Sequence, residues 1–273
     1  VMALGGSFDD FAASLNKDPK HEQGTFMHYV SIDTHVIGMV LRAATGKTIM
    51  EYFQEKLWNK LGTEEDAFYI TDTTGEPMVL GGLNMLSRDY ARMGMLYRDG
   101  GMYNGEQVVP AKWIEDSITP DAPHLMPGKR DNANTNFGYG YQWWLPENPD
   151  QEFLAIGIYG QYIFIDRKTN TVIVKNSADR DFMDNDYESK DIAVAAFRAI
   201  AQSLEKTNNL IQDAFTEFDK QMQSEIGRVI DSMGTQLATL SGKFVSDYTP
   251  LTEKLRDVVD ISRRLETTRR AGD

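Results

Sequence analysis

Phe153-Leu154-Ala155-Ile156-Gly157-Ile158, Gln161-Tyr162-Ile163-Phe164-Ile165-Asp166 and Thr171-Val172-Ile173-Val174-Lys175-Asn176 are consecutive runs rich in β-branched and aromatic residues. Turn residues separate them, a pattern that reads as an antiparallel meander. Tyr139 to Trp144 reads as a further strand leading into it, with Trp143 and Trp144 directed to opposite faces, one into the core and one toward a cleft.

Upstream, the periodicity is helical. From Gly5 to Asn16, Phe8, Phe11, Ala12 and Leu15 recur at spacings of three and four, and the run stops at Lys17-Asp18-Pro19-Lys20. Thr25 to Ser31 is short and aromatic. Ser31 or Asp33 is then expected to cap a helix carrying Val36, Ile37, Val40 and Leu41 and closing at Gly46. A second helix is expected over Thr48 to Lys60, burying Ile49, Tyr52, Phe53 and Leu57, with Gly62 as its cap. Ser87 is expected to cap a third, and Pro110 to open a fourth with Trp113 and Ile114 inside. Asp121 to Asn136 is rich in Pro, Gly, Asp and Asn, a long loop of the kind that shapes a cleft. Ala193 to Leu204 reads as a closing helix. Helices, then consecutive strands, then a helix predict an α+β fold, an antiparallel sheet with flanking helices, rather than a βαβ repeat.

Beyond about residue 205 the chain changes in kind. All four Trp and eight of the nine Pro precede that seam. From Lys206 onward ten basic residues face eleven acidic ones, so all but one of the 13 net negative charges lie before it. Two units are therefore expected, 1–205 and 206–273. In the second, Ile211, Phe215, Phe218, Met222, Ile226, Val229, Met233, Leu237, Leu240 and Phe244 advance 33 residues in nine steps. That period, 3.67, is an 11-residue repeat, the mark of a long, nearly straight, coiled-coil-like helix that packs against others. Thr249-Pro250 is expected to break it, with Leu251, Leu255, Val258 and Leu265 marking another helix. The pair is expected to form a helical hairpin or the seam of a homo-oligomer; the plainer reading is an amphipathic helix covering its own first unit.

Composition narrows the function classes. With 273 residues, 41 Asp plus Glu against 28 Lys plus Arg, and no Cys, disulfide frameworks and thiolate metal clusters are excluded. No run approaches the ~18 apolar residues of a membrane span, and so acidic a chain is a poor nucleic-acid binder. Four His without a His-x-x-x-His pair predict no metal, and nothing in the sequence points to a cofactor. The charged cluster Asp179 to Asp186 lacks an ordered ligand pattern for calcium and reads as a solvated loop. Val1-Met2-Ala3-Leu4-Gly5 carries no secretory signal and does not read as a natural start. Zero Cys suits an oxidising compartment and a bacterial cytoplasm alike, so the compartment stays open between cytoplasm and periplasm.

A run of strings in one order carries a resemblance. Tyr29-Val30-Ser31-Ile32-Asp33-Thr34 precedes Ala44-Thr45-Gly46, Lys56-Leu57-Trp58 and Gly81-Gly82-Leu83-Asn84. Arg88-Asp89-Tyr90-Ala91-Arg92-Met93-Gly94, Gln107-Val108-Val109-Pro110 and Gly138-Tyr139-Gly140-Tyr141-Gln142-Trp143-Trp144 follow. Over roughly residues 5–204 this resembles the serine β-lactamase and penicillin-binding-protein superfamily, nearest its class C-like esterases and nylon-oligomer hydrolases. The resemblance implies hydrolysis of a small-molecule ester or amide through an acyl-serine. A serine hydroxyl needs an adjacent base, and a tyrosine beside a lysine ammonium has its phenol pKa lowered toward that role. Tyr29 matches the tyrosine of the family's second motif and would be general base and acid. Ser31, where Asn is commoner, would bond substrate or lysine.

Two departures matter. In place of Lys-Thr-Gly stands Ala155-Ile156-Gly157-Ile158-Tyr159-Gly160-Gln161-Tyr162. By the resemblance Gly157, Tyr159, Gly160 and Gln161 would line the acyl site, with Gln161 either orienting the substrate loop or pairing with backbone. Loss of the lysine argues against a carboxylate-bearing substrate. The Ser-x-x-Lys nucleophile motif occurs only as Ser14-Leu15-Asn16-Lys17 and Ser203-Leu204-Glu205-Lys206, neither at the start of a buried helix well upstream of Tyr29. The expectation is a hydrolase domain without its N-terminal, nucleophile-bearing part, and so without turnover. The alternative is a non-enzymatic interaction module in which the tail assembles partners.

Overall fold

The computed structural model of the chain describes residues 5–147, 149–182 and 186–270, with backbone alone at 186–189 and 265–270. The chain divides into two units, Val1–Glu205 and Lys206–Asp273. Residues 183–185 of the acidic cluster lie outside the described residues.

The first unit opens with α1 (Phe8–Ser14), shorter than the periodicity predicts, with the Ser7 hydroxyl accepting from the Asp10 amide at 3.3 Å. α2 (Ser31–Thr45) begins at Ser31 itself. The residue before it, Val30, makes no side-chain cap, so Ser31 and Asp33 do not play the capping role expected of them. α2 buries Ile32, His35 and Gly38 and leaves Val36, Ile37 and Val40 exposed. His35 Nε2 meets Asp9 Oδ1 at 2.8 Å, and Arg42 donates to the same carboxylate at 2.6 Å. The face that packs on α1 is thus chosen by a polar network as well as by apolar area. α3 is Ile49–Lys56, opened by a capping box between Thr48 and Glu51. The helix expected to reach Lys60 instead kinks at Leu57 into a 3₁₀ turn over Trp58–Lys60.

Short two-strand ladders join β1 (Phe68–Tyr69) to β2 (Leu83–Asn84) and, after α4 (Ser87–Arg98), β3 (Met102–Tyr103) to β4 (Glu106–Gln107). The residue before α4 is Leu86 and bears no cap bond, so Ser87 too is the first helical residue rather than the cap. In α5 (Ala111–Ile118) Ile114 is fully buried, but Trp113 lies on the exposed side.

A five-stranded antiparallel sheet follows: β5 (Gly138–Tyr139), β6 (Trp144–Leu145), β7 (Glu152–Gly157), β8 (Gln161–Asp166) and β9 (Thr171–Lys175), adjacent in chain order. The single strand expected over Tyr139 to Trp144 is a hairpin. Gln142 takes φ +69°, and a Cβ on Gly140 would lie 2.0 Å from the Ser117 carbonyl oxygen. Only glycine fits there, and the chain must turn.

The sheet is buried on both faces, with Leu154 opposite Phe164 and Phe153 opposite Ile165. Leu154, Tyr162 and Phe164 pack with Trp144, Met27, Val194 and Phe197; Phe153 and Ile165 pack with Trp143, Leu145 and Tyr97 of α4. Trp143 and Trp144 therefore occupy different clusters, and both are core. α4 approaches closely at Gly94, where a Cβ would meet Val172 Cγ1 at 2.6 Å. This is the α+β arrangement the strand and helix patterns predict.

α6 spans Asp186–Arg270 as one helix. Residues 186–205 belong to the first unit, where Arg198 grips Glu152 of β7 through Nε at 2.7 Å and a terminal nitrogen at 2.5 Å. In the second unit Pro250 lies inside the helix, and the expected break is absent. Proline removes one backbone donor at a cost of ~3 kcal/mol. Beside it, the Thr249 and Thr252 hydroxyls donate to the carbonyls of Val245 and Tyr248 at 2.6 and 2.8 Å, adding bonds to the helix where the ladder is weakest.

Candidate active site

Met27 fixes what precedes α2: its amide donates to Asn132 O at 2.9 Å and its carbonyl accepts from the Asn134 amide at 3.3 Å. Two residues later Tyr29 stands between that bridge and the first turn of α2. Its ring lies 5.0 Å from Trp144 and 5.9 Å, edge-on, from Tyr139, and it is 39% exposed. Trp144 and Tyr139 face each other across the β5–β6 ladder with rings 4.9 Å apart. Gln142 Oε1 accepts from the Thr34 hydroxyl at 2.8 Å and, more weakly, from Tyr139 at 3.4 Å. The first turn of α2 is thereby tied to the β5–β6 hairpin. Burial, reinforced by nearby Tyr29, pushes the Tyr139 phenol well above its ordinary range, so it stays a proton donor at neutral pH.

Ser31 is exposed in the first turn of α2. The residues of the altered third motif lie at the β7–β8 turn. Gly157 pairs with Gln161, and Tyr159 at φ +63° and Gly160 at φ +74° take left-handed conformations. For a tyrosine this backbone is strained, and its side chain is held outward, 46% exposed. The Asp179 amide donates to Tyr159 O at 3.1 Å, and Lys175 Nζ donates to Gly160 O at 2.7 Å. Gln161 Nε2 donates to Ile158 O at 3.1 Å, so its side chain is spent on the turn's own backbone. The link from this strand to Tyr29 runs through Trp144, which pairs with Leu154 of β7.

The described residues place no serine hydroxyl or lysine ammonium in a hydrogen bond with Tyr29. Ser14 donates to Phe11 O at 2.7 Å within its own helix, and Ser203 lies exposed in α6. Among the described residues no group of three His, Asp or Glu is arranged to hold a metal. A cavity of about 250 Å³ lined by Met50, Phe53, Trp58, Phe68 and Tyr69 lies elsewhere, and none of the candidate site residues lines it. Thr34, Lys175 and the acceptor role of Gln142 are missed by sequence reasoning, which directs one of Trp143 and Trp144 toward a cleft without choosing between them. Thr34 and Gln142 are 108 residues apart and no local pattern connects them.

Residues 8–197 match the Beta-lactamase family. The chain belongs to the beta-lactamase family. Within it, this beta-lactamase-family chain is 33% identical over 151 residues to a 6-aminohexanoate-dimer hydrolase of Paenarthrobacter ureafaciens, spanning 55% of this chain and 38% of that one. A Bacillus anthracis structure provisionally named a 6-aminohexanoate-dimer hydrolase superposes with a TM-score of 0.63 at 30% identity, covering 73% of this chain and 49% of that one. A penicillin-binding protein of Bacillus halodurans shares the fold, with a TM-score of 0.50, 16% identity and coverage of 71% and 63%. The chain thus spans less than half the length of the two hydrolases.

Proposed function

We propose that this beta-lactamase-family chain carries the tyrosine side of a serine acyl-transfer site and does not by itself turn over an ester or amide. Tyr29 is the proton shuttle of that site, Ser31 a polar neighbour in the same turn, and the 157–161 turn the wall facing the acyl group. Neither Ser-x-x-Lys string, at Ser14 or at Ser203, serves as its nucleophile. The observation that carries the reading is the solitary Tyr29 hydroxyl: the described residues offer it neither the serine it would deprotonate nor the lysine that would lower its pKa. The hydrolases' names point to a linear amide as the substrate class; with no Lys-Thr-Gly lysine in this chain, a carboxylate on such an amide would have to be met by other groups.

Covalent labelling tests this. The full chain treated with a fluorophosphonate or a penicillin probe and mapped by mass spectrometry is expected to carry no serine adduct. A stoichiometric adduct at Ser14, Ser31 or Ser203 would overturn the proposal. A second reading, a hydrolase remnant serving as a platform for an interaction tail, is favoured by one observation: within its own unit the tail's apolar stripe, from Ile211 to Val258, is exposed.

A further inference from the structure

Within α6 the apolar stripe does not end at Phe244. Because the helix continues through Pro250, Tyr248, Leu251, Leu255 and Val258 fall in phase with the ten residues before them. Fourteen large apolar residues thus run from Ile211 to Val258, a period of 3.62, so the stripe keeps to one side of a straight helix for about 70 Å. Each is 45–66% exposed. Together they leave on the order of 1,000 Å², where a monomer's largest patch is 300–600 Å² and a stable interface hides about 800 Å² per partner.

We infer that this stripe is the interface of a homodimer in which two copies of the tail pair antiparallel. Charge selects both the occupant and the direction. Between residues 211 and 234 five acidic residues face two basic ones, whereas 235–258 carries three of each. A parallel pair sets the acidic half against itself; an antiparallel pair sets it against the balanced half, with Asp213 opposite Arg256. The same acidity disfavours an anionic lipid surface as the occupant, since such surfaces select helices with Lys and Arg on the polar face. The chain has no Cys, so one introduced Cys reports on one position.

The test uses the full chain. Light scattering is expected to give twice the 30.9 kDa chain mass. Val229→Asp and Leu240→Lys, on the stripe, are each expected to weaken the dimer at least 100-fold, while Ser224→Asp on the opposite face leaves it intact. Circular dichroism separates loss of association from loss of helix, and two different stripe changes guard against one that unfolds. Spin labels at Thr235→Cys, near the middle of the stripe, are expected about 30 Å apart, and at Asn209→Cys about 75 Å apart. A mass of 30.9 kDa at all concentrations, binding to anionic vesicles in place of dimerisation, short distances at both labels, or a dimer indifferent to both stripe changes overturns the inference.

Discussion

β7 and β8 on one side and the tail of α6 on the other are built from the same apolar residues, yet every large apolar side chain at Phe153, Leu154, Phe164 and Ile165 is buried while Phe215, Phe218 and Phe244 are more than half exposed. The difference lies in what the period can close upon. Strands alternate and present two faces, and this chain supplies a cover for each, α4 for one and the start of α6 with Met27 for the other. Among the described residues of its own unit the tail presents one stripe and no second element to meet it. An apolar pattern fixes which residues share a face. It does not fix what covers that face, and a core requires both.

The sharpest way to break this contrast is to make the same truncation in each region. Phe164→Ala empties a fully buried site and is expected to destabilise the first unit by about 3–5 kcal/mol in chemical denaturation. Phe215→Ala should leave that unfolding transition unchanged. Equal effects on that transition would mean that the stripe packs against the first unit instead of against a second copy. Next in size is the clamp between α6 and β7. Arg198→Ala strands Glu152, which is 7% exposed, and is expected to cost about 2–3 kcal/mol, less than a fully buried pair because Arg198 itself is partly solvated. Glu152→Gln combined with Arg198→Met, which removes both charges, should recover most of that loss.

The same contrast explains what was legible in the sequence. β7, β8 and β9 could be read because strand runs and turn residues are local, as Asn170 at φ +56° in the β8–β9 turn illustrates. The tail's stripe was legible because it is periodic. What the sequence hid was set by distant partners. Trp143 and Trp144 could be assigned to opposite faces, but not both to the core, because their covers come from residues such as Tyr97 and Met27. The β5–β6 turn was read as one strand because it is forced by Gly140 meeting the Ser117 backbone, a contact between segments 23 residues apart. At the site, Tyr29 and Ser31 were found through a motif in one turn of chain, while Thr34, Gln142 and Trp144 were joined to them only by folding. Pro250 failed as a stop signal because an exposed helix can hydrate the freed carbonyl and recruit neighbouring threonines.

The smallest expected effect concerns acid. Asp72 orders the turn that holds α1. Partial burial raises its pKa, but bonds from the Thr74 hydroxyl and from the amides of Phe8, Thr74 and Glu76 outweigh this and bring it down to about 2, against 3.8 for a free side chain. A depressed pKa means that the folded state binds the proton less readily than the unfolded chain. Its stabilisation is therefore complete above pH 4 and lost as pH falls toward 2. Asp72→Asn keeps one acceptor oxygen but removes the charge, so it should lower stability modestly at pH 7 and flatten the decline between pH 4 and pH 2. Thermal melts of both proteins across that window measure it. The tail offers the internal reference: its helix, followed in the same samples, has no part in this carboxylate's network and should respond equally in the two proteins, so a difference confined to the first unit assigns the acid sensitivity to the α1 turn.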